Sequence, residues 1–171
     1  LLVPALDVVG KEFEQGTLFL PQLLMSAEAA KAAFEAIKVH FEKSGTVQEK
    51  GEKIILATVK GDIHDIGKNI VKVLLDSYDV IDLGKDVDPS LVVDTAIEQN
   101  VQLVGLSALM TTTVVNMEET IRLLKEKAPC VKVMVGGAVL TQEYADMIHA
   151  DFYSKDAMGS VYYAQRLFGK E

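Results

Sequence analysis

The sequence predicts an α/β fold with a doubly wound, five-stranded parallel sheet, preceded by two helices. Three short and nearly continuous apolar runs, at 54–59, 101–106 and 131–135, are typical of strands buried on both faces of a parallel sheet. Two weaker strand candidates lie at 80–83 and 151–153, and helical patterns fit between the strands. Five βα units of this length indicate a doubly wound sheet.

The helices of this α/β part are predicted from apolar stripes and cap residues. A first stripe with helical spacing runs from 66 to 75. Asp88 is the predicted N-cap of the next helix, and Pro89 stands at its first position, where proline is well tolerated. Further helices are expected near 113–127, 141–149 and 157–168.

The first 43 residues are predicted to form two helices with apolar stripes on either side of a break at Gly16. The segment 43–53 is polar and holds two glycines, so we place a domain boundary there. This divides the chain into a helical domain at 1–45 and an α/β domain at 46–171. Two helices with strong stripes cannot bury both faces against each other alone, so we expect them either to belong to a larger bundle whose first part precedes Leu1 or to lie on the next domain.

Charge and composition narrow the function classes. Lys and Arg total 17 against 25 Asp and Glu, a net charge of −8, which argues against a nucleic-acid partner because phosphate binding needs clustered cations. No apolar run is long enough to span a membrane and the start lacks a signal-peptide pattern, so a cytoplasmic location is expected. Cys130, the single cysteine, allows no internal disulfide and is expected to be a small packed residue.

The polar residues that carry chemistry follow the predicted strands. In open parallel sheets, ligands bind beyond the carboxyl ends of the strands where the strand order reverses, which for the order 2-1-3-4-5 is between the first and third strands. The loop after the first strand contains Gly61, Asp62, Ile63, His64, Asp65, Ile66 and Gly67. The loop after the third contains Ser107, Leu109, Met110, Thr111 and Thr113, and the fourth strand ends in Gly136 and Gly137.

These residue types point to a ligating histidine with a hydrogen-bonded partner. His64 can present one ring nitrogen outward while Asp62, two residues earlier, accepts a hydrogen bond from the other. Thr111 and Thr113 supply hydroxyls that can orient Asp62 or meet a ligand, and the small residues at the strand ends leave a slot. The plainer interpretation stays open, because a lone loop histidine is usually solvated and D-x-H-x-x-G also arises by chance.

The motifs resemble those of the corrinoid-binding proteins of cobalamin-dependent methyltransferases and mutases. The resemblance rests on three motifs, D-x-H-x-x-G at 62–67, S-x-L at 107–109 and G-G at 136–137. The run 59–70 looks like methionine synthase, whereas 105–113 looks more like the small corrinoid proteins of methylamine, methanol or methoxy-compound metabolism. The segment 13–23 is similar to the helical cap of both groups, which mutases lack.

The resemblance implies a site for cobalamin or a related corrinoid in the base-off, His-on state. His64 would be the lower axial ligand of cobalt, with Asp62 and Thr113 completing a hydrogen-bonded relay. Ser107, Thr111, Gly136 and Gly137 would line the slot for the displaced nucleotide tail. Phe13, Leu20 and Leu23 would shield the methyl group on the upper face. The remaining predicted contacts to the cofactor are Gly61, Ile63, Asp65, Ile66, Gly67, Leu109 and Met110.

The implied function is that of a methyl carrier that catalyses no reaction without its partner enzymes. It would shuttle a methyl group between a substrate-specific methyltransferase and an acceptor methyltransferase that uses tetrahydrofolate or a similar acceptor, with a reductive activating protein as a third partner. The alternatives are a cobalamin-dependent sensor or regulator whose output domain is absent here, a mutase subunit, and a flavodoxin-like module without metal in which His64 is incidental.

Overall fold

The computed structural model describes residues 2–43 and 51–169. Its centre is a parallel sheet with the strand order β2-β1-β3-β4-β5, which confirms the predicted fold class and topology. The strands are β1 (Lys53–Val59), β2 (Asp79–Val87), β3 (Leu103–Ser107), β4 (Lys132–Gly136) and β5 (Phe152–Ser154). The first and third strands are therefore neighbours, and their carboxyl ends lie side by side.

The helices follow the predicted pattern. They are α1 (Leu2–Glu14), α2 (Leu20–Lys43), α3 (Ile66–Leu74), α4 (Pro89–Glu98), α5 (Val114–Lys127), α6 (Gln142–Met147) and α7 (Ala157–Phe168), with a 3₁₀ turn at Thr111–Thr113. The side chain of Asp88 accepts a hydrogen bond from the Ser90 N–H at 3.0 Å, and Pro89 opens α4, as predicted. No helix of the part described here is long and apolar enough to cross a membrane.

Apolar cores cover both faces of the sheet because successive strand residues point to opposite sides. On one face, the strand residues pack with α3 and α7, and on the other they pack with α4 and α5. The first core includes Ile54, Leu56, Leu103 and Met134. The second includes Ile55, Ala57, Val104 and Val133. Burial on both faces explains why the strands are almost continuously apolar.

The chain divides into two compact units, Leu1–Gln48 and Glu49–Glu171. In the first unit α1 and α2 contact each other, with Phe13 and Leu20 exposed and Leu23 half-buried. The predicted domain boundary between 45 and 46 lies outside the described residues.

Two local features differ from the sequence expectations. Cys130 is exposed, so the expectation that it packs is wrong; it lies in the turn between α5 and β4, not in the strand. Strand β2 extends well beyond the predicted 80–83 because its pairing with β1 is irregular. The register runs from Leu56–Asp82 to Ala57–Gly84 and then Val59–Val87, leaving extra residues on β2.

Candidate functional site

Asp62 sits at the carboxyl end of β1 and is completely buried. The chain leaves the strand through a turn in which the Asp62 N–H donates to the Val59 carbonyl at 3.0 Å. Gly61 adopts a left-handed φ of +83°, and a Cβ there would lie 3.3 Å from the Thr113 methyl carbon. A glycine at 61 thus lets the chain turn inward directly beneath the 3₁₀ turn.

The Asp62 carboxylate accepts five hydrogen bonds. Oδ1 accepts from the His64 backbone N–H at 3.0 Å and pairs with the His64 ring Nδ1 at 2.9 Å. Oδ2 accepts from the backbone N–H groups of Leu109 at 2.7 Å and Met110 at 3.1 Å, and from the Thr113 hydroxyl at 3.0 Å. Although burial by itself raises the pKa of Asp62, these donors hold it well below its ordinary value. The group is therefore an anion that only accepts hydrogen bonds.

This anion determines which nitrogen of His64 carries the proton. Because the carboxylate cannot donate, Nδ1 must be the protonated ring nitrogen, and the lone pair of a neutral imidazole then lies on Nε2. The side chain of His64 is 46% exposed, whereas that of Asp62 is 0% exposed. The pair consequently offers an outward-facing nitrogen ligand backed by a buried negative charge, the arrangement that orients metal-bound histidines.

A hollow of about 300 Å³ surrounds His64. Its lining consists of Ile63, His64, Asp65, Ile66, Gly67 and Leu109, all of which the sequence predicted as ligand contacts. The exposed isoleucines at 63 and 66 give it an apolar rim that a large planar ligand can cover. A larger hollow of about 510 Å³ lies at the opposite end of the sheet, beside Cys130 and Lys132. We assign the site to the smaller hollow because it contains the histidine and its buried partner.

The strand ends beside the histidine carry small residues in close contact. Gly137 has a φ of +140°, and a Cβ there would stand 1.8 Å from the Ala108 carbonyl oxygen, so only glycine fits. The hydroxyls of Thr58 and Ser107 are 2.9 Å apart on neighbouring strands. A Cβ on Gly136 would lie 3.3 Å from the Ser154 carbonyl oxygen. These residues form a wall at the strand ends, and the predicted role of Ser107, Thr111, Gly136 and Gly137 in holding a nucleotide tail stays a prediction.

The structure separates the predicted site residues into groups. Asp62, His64 and Thr113 come together with Leu109 and Met110, whose backbone N–H groups act as donors that the sequence analysis had not singled out. Thr111 is exposed, and its hydroxyl is not among the donors that the structure describes for the carboxylate. The predicted shielding residues Phe13, Leu20 and Leu23 belong to the first unit, and their role stays a prediction.

The wall also contains residues that the sequence analysis missed. Thr58 is the direct cross-strand partner of Ser107, so the assignment of β1 and β3 as neighbours contained the signal needed to find it. Ser154 ends β5 and lies close to Gly159 of α7, where a Cβ would approach its hydroxyl to 2.7 Å. Because β5 is only three residues long, its end could not be placed from apolar periodicity.

Comparison with known proteins gives one consistent result. Family models described as B12 binding domains match residues 52–161 and residues 1–38. The chain is 44% identical over 170 residues to dimethylamine corrinoid protein 1 of Methanosarcina acetivorans, covering 97% of this chain and 79% of that protein. It is 46% identical over 153 residues to trimethylamine corrinoid protein 1 of Methanosarcina mazei, covering 87% and 71%.

Solved structures agree with these relatives. The monomethylamine corrinoid protein of Methanosarcina barkeri matches with a TM-score of 0.70 and 31% identity over 97% of this chain and 80% of that one. A chain of the methanol:cobalamin methyltransferase complex of the same organism matches with a TM-score of 0.70 and 29% identity, over 99% and 66%. The family model that matches residues 52–161 defines a B12-binding protein. This chain belongs to the corrinoid proteins of methyltransferase systems, which confirms the resemblance found in the sequence.

Proposed function

We propose that this protein carries a methyl group on the cobalt of a bound corrinoid, between a methyltransferase that supplies the group and one that removes it. The single observation that carries the proposal is the His64–Asp62 pair, in which the buried carboxylate fixes Nδ1 as a donor and leaves Nε2 for a metal. The relatives named as methylamine corrinoid proteins support a methylated amine as the original methyl donor. The sensor or regulator alternative is not favoured by these relatives.

The residues of the site fit a corrinoid held base-off and His-on. His64 would hold the cobalt of the corrinoid, because its imidazole is exposed while its Nδ1 is bonded to the buried Asp62 carboxylate. When bound, the corrinoid supplies the cobalt that accepts and releases the methyl group. The close backbone approach at Gly137, with Ser107, Thr58 and Gly136 beside it, suits a displaced nucleotide tail because these side chains leave room between strand ends.

The chain's own residues hold and orient the ligand. Asp62 keeps the proton on Nδ1 and so leaves the lone pair of Nε2 for a metal, and Thr113 keeps the carboxylate in place. Asp62, His64 and Thr113 would together form a hydrogen-bonded relay that holds a proton at the Asp62–His64 bond. Phe13, Leu20 and Leu23 are proposed to shield the methyl group from light and solvent.

The proposal assigns three kinds of protein partner. The solved methanol:cobalamin methyltransferase complex supports a substrate methyltransferase as the first. The second is an acceptor methyltransferase, with tetrahydrofolate or a similar acceptor, and the third is a reductive activating protein that restores cobalt after oxidation. Pull-down of co-purifying proteins under anaerobic conditions, followed by mass spectrometry, identifies which of them the chain meets.

The test of the histidine assignment uses two glycine substitutions. His64→Gly is expected to remove the axial nitrogen hyperfine splitting from the electron paramagnetic resonance spectrum of the Co(II) form. His149→Gly is the matched control, because His149 is exposed and has a φ of +60° that glycine adopts freely. An axial nitrogen signal that survives in His64→Gly, with the parent's splitting, would remove His64 from the cobalt.

A further inference from the structure

The turn that carries Asp62 is hydrogen-bonded to a residue of β2 that has an uncommon backbone conformation. Asp86 lies in the irregular part of that strand and has a left-handed φ of +55°, which few residues other than glycine adopt. Aspartate tolerates this conformation better than most residues do. Bulges of this kind are common next to functional sites because they re-aim a side chain.

Asp86 makes two hydrogen bonds to the turn. Its Oδ1 accepts from the Gly61 N–H at 2.7 Å, and its own N–H donates to the Asp62 carbonyl at 3.0 Å. The bonds lie at the two ends of the Gly61–Asp62 dipeptide. On the other side of the turn, the Asn116 amide donates to the Lys60 carbonyl at 2.8 Å. The backbone beneath the histidine is thus tied to β2 and to α5.

We propose that Asp86 is a positioning residue for the cobalt ligand. The Asp62 carboxylate must meet donors from two separate segments, His64 on one side and the 109–113 loop on the other, so its backbone has to be placed accurately. Asp86 supplies that placement by fixing both ends of the dipeptide, and the histidine follows through Asp62. The functional role of Asp86 rests on the proposed function, in which His64 binds cobalt. The effect of Asp86 on the position of Asp62 and His64 can be measured in the corrinoid-free chain.

Two substitutions separate the side chain of Asp86 from its backbone. Asp86→Gly tolerates the left-handed φ but removes the acceptor for Gly61, whereas Asp86→Asn tolerates the same φ and keeps an acceptor oxygen. Both variants are therefore expected to fold. Asp88→Asn is the charge control, because it removes a nearby exposed carboxylate that bonds the Lys60 ammonium group and the Ser90 N–H rather than the Gly61–Asp62 backbone.

The measurement is amide hydrogen exchange on the corrinoid-free full chain, with ¹⁵N NMR of the His64 ring. Loss of one hydrogen bond should raise the opening rate at the Asp62 and His64 N–H groups by roughly threefold to tenfold in Asp86→Gly. The share of ring protonated at Nδ1 should fall in the same variant. Asp86→Asn and Asp88→Asn should stay within about twofold of the parent for both readouts.

Exchange at the Val104 amide, in the middle of β3, separates positioning from simple loss of stability. Positioning predicts faster exchange at Asp62 and His64 with Val104 unchanged. Equal acceleration at all three sites, or no change of the His64 ring in Asp86→Gly, would overturn the proposal. A parent protein that binds corrinoid without a histidine nitrogen on cobalt would instead contradict the proposed function, so the two failures are distinguishable.

Discussion

Replacing Asp62 by asparagine exchanges one acceptor oxygen for an NH₂ group, and the structure dictates where that group must go. Three donors point at the Oδ2 position, two of them backbone N–H groups that cannot reverse, so the amide oxygen has to occupy it. The NH₂ group then takes the Oδ1 position, facing the His64 N–H and Nδ1. The ring can accept from it only by moving its own proton to Nε2, the nitrogen proposed to bind cobalt.

The size of the effect follows from the bonds that change. Asp62→Asn removes the charge-assisted hydrogen bond to the ring and favours the tautomer with its proton on Nε2. It also places the new NH₂ group against the His64 backbone N–H, so that two donors face each other. Together these changes should cost about 1.5–3 kcal/mol. His64 ligation should weaken by roughly one to two orders of magnitude, since 1.4 kcal/mol corresponds to about tenfold. The Co(II) paramagnetic resonance spectrum measures the His-on share, and Thr113→Ser, which keeps the hydroxyl, is the control.

The same variant tests the proton relay. With Asp62 in place, the proposed relay predicts that the Co(II)/Co(I) midpoint potential depends on pH. In Asp62→Asn that dependence should be weaker. Parent and variant curves that overlay, together with an undiminished His-on share, would refute both the tautomer argument and the relay.

Four further predictions concern other parts of the chain. Lys68 is buried and its Nζ lies 2.6 Å from Asp82 Oδ1, while Lys72 contacts the other oxygen at 3.0 Å. Lys68→Met should therefore cost about 1.5–3 kcal/mol in urea unfolding, and an unchanged midpoint would contradict a structural ion pair. Burial raises the pKa of Asp82, but the hydrogen bonds from Lys68 and Lys72 lower it below its ordinary value. The ionised carboxylate therefore stabilises the folded protein at pH values above the ordinary pKa of aspartate. This stabilisation should be lost as the pH falls through the lowered pKa. Gly137→Ala should displace the chain at Ala108 and abolish corrinoid binding, measured by spectral titration; tight binding would exclude the proposed slot. Phe13→Ala should speed photolysis of the methyl–cobalt bond at little cost in thermal stability, because Phe13 is 40% exposed. Truncation of a fully buried phenylalanine would instead cost about 3–5 kcal/mol. Unchanged photolysis would argue against shielding.

The sheet and the central pair were predictable from the sequence for physical reasons. Strands buried on both faces leave continuous apolar runs, and the carboxyl ends of β1 and β3 must adjoin in the order observed. The Asp62–His64 bond spans only two residues, so its formation depends on a local turn. The residue types of the 107–113 loop left Thr111 and Thr113 as candidate partners of Asp62, and the family resemblance indicated Thr113.

Other features depend on register and backbone conformation, which periodicity does not encode. Lys68 follows the motif glycine and would be expected in solvent, yet it is buried because Asp82 lies opposite on β2. The pairing irregularity that gives Asp86 its left-handed φ follows no compositional signal beyond Gly84. Leu109 and Met110 donate to Asp62 through their backbone N–H groups, so the residue types at these positions do not predict the hydrogen bonds.

The most direct test of the central proposal, that His64 ligates cobalt, is isotopic. The protein is produced with ¹⁵N-labelled histidine, loaded with unlabelled corrinoid, and its Co(II) paramagnetic resonance spectrum is compared with that of unlabelled protein. Ligation by His64 predicts that the axial nitrogen splitting changes from triplets to doublets, and that the doublets vanish in His64→Gly but persist in His149→Gly. Triplets that remain after labelling would show that the axial nitrogen does not come from histidine, and would contradict the His-on assignment.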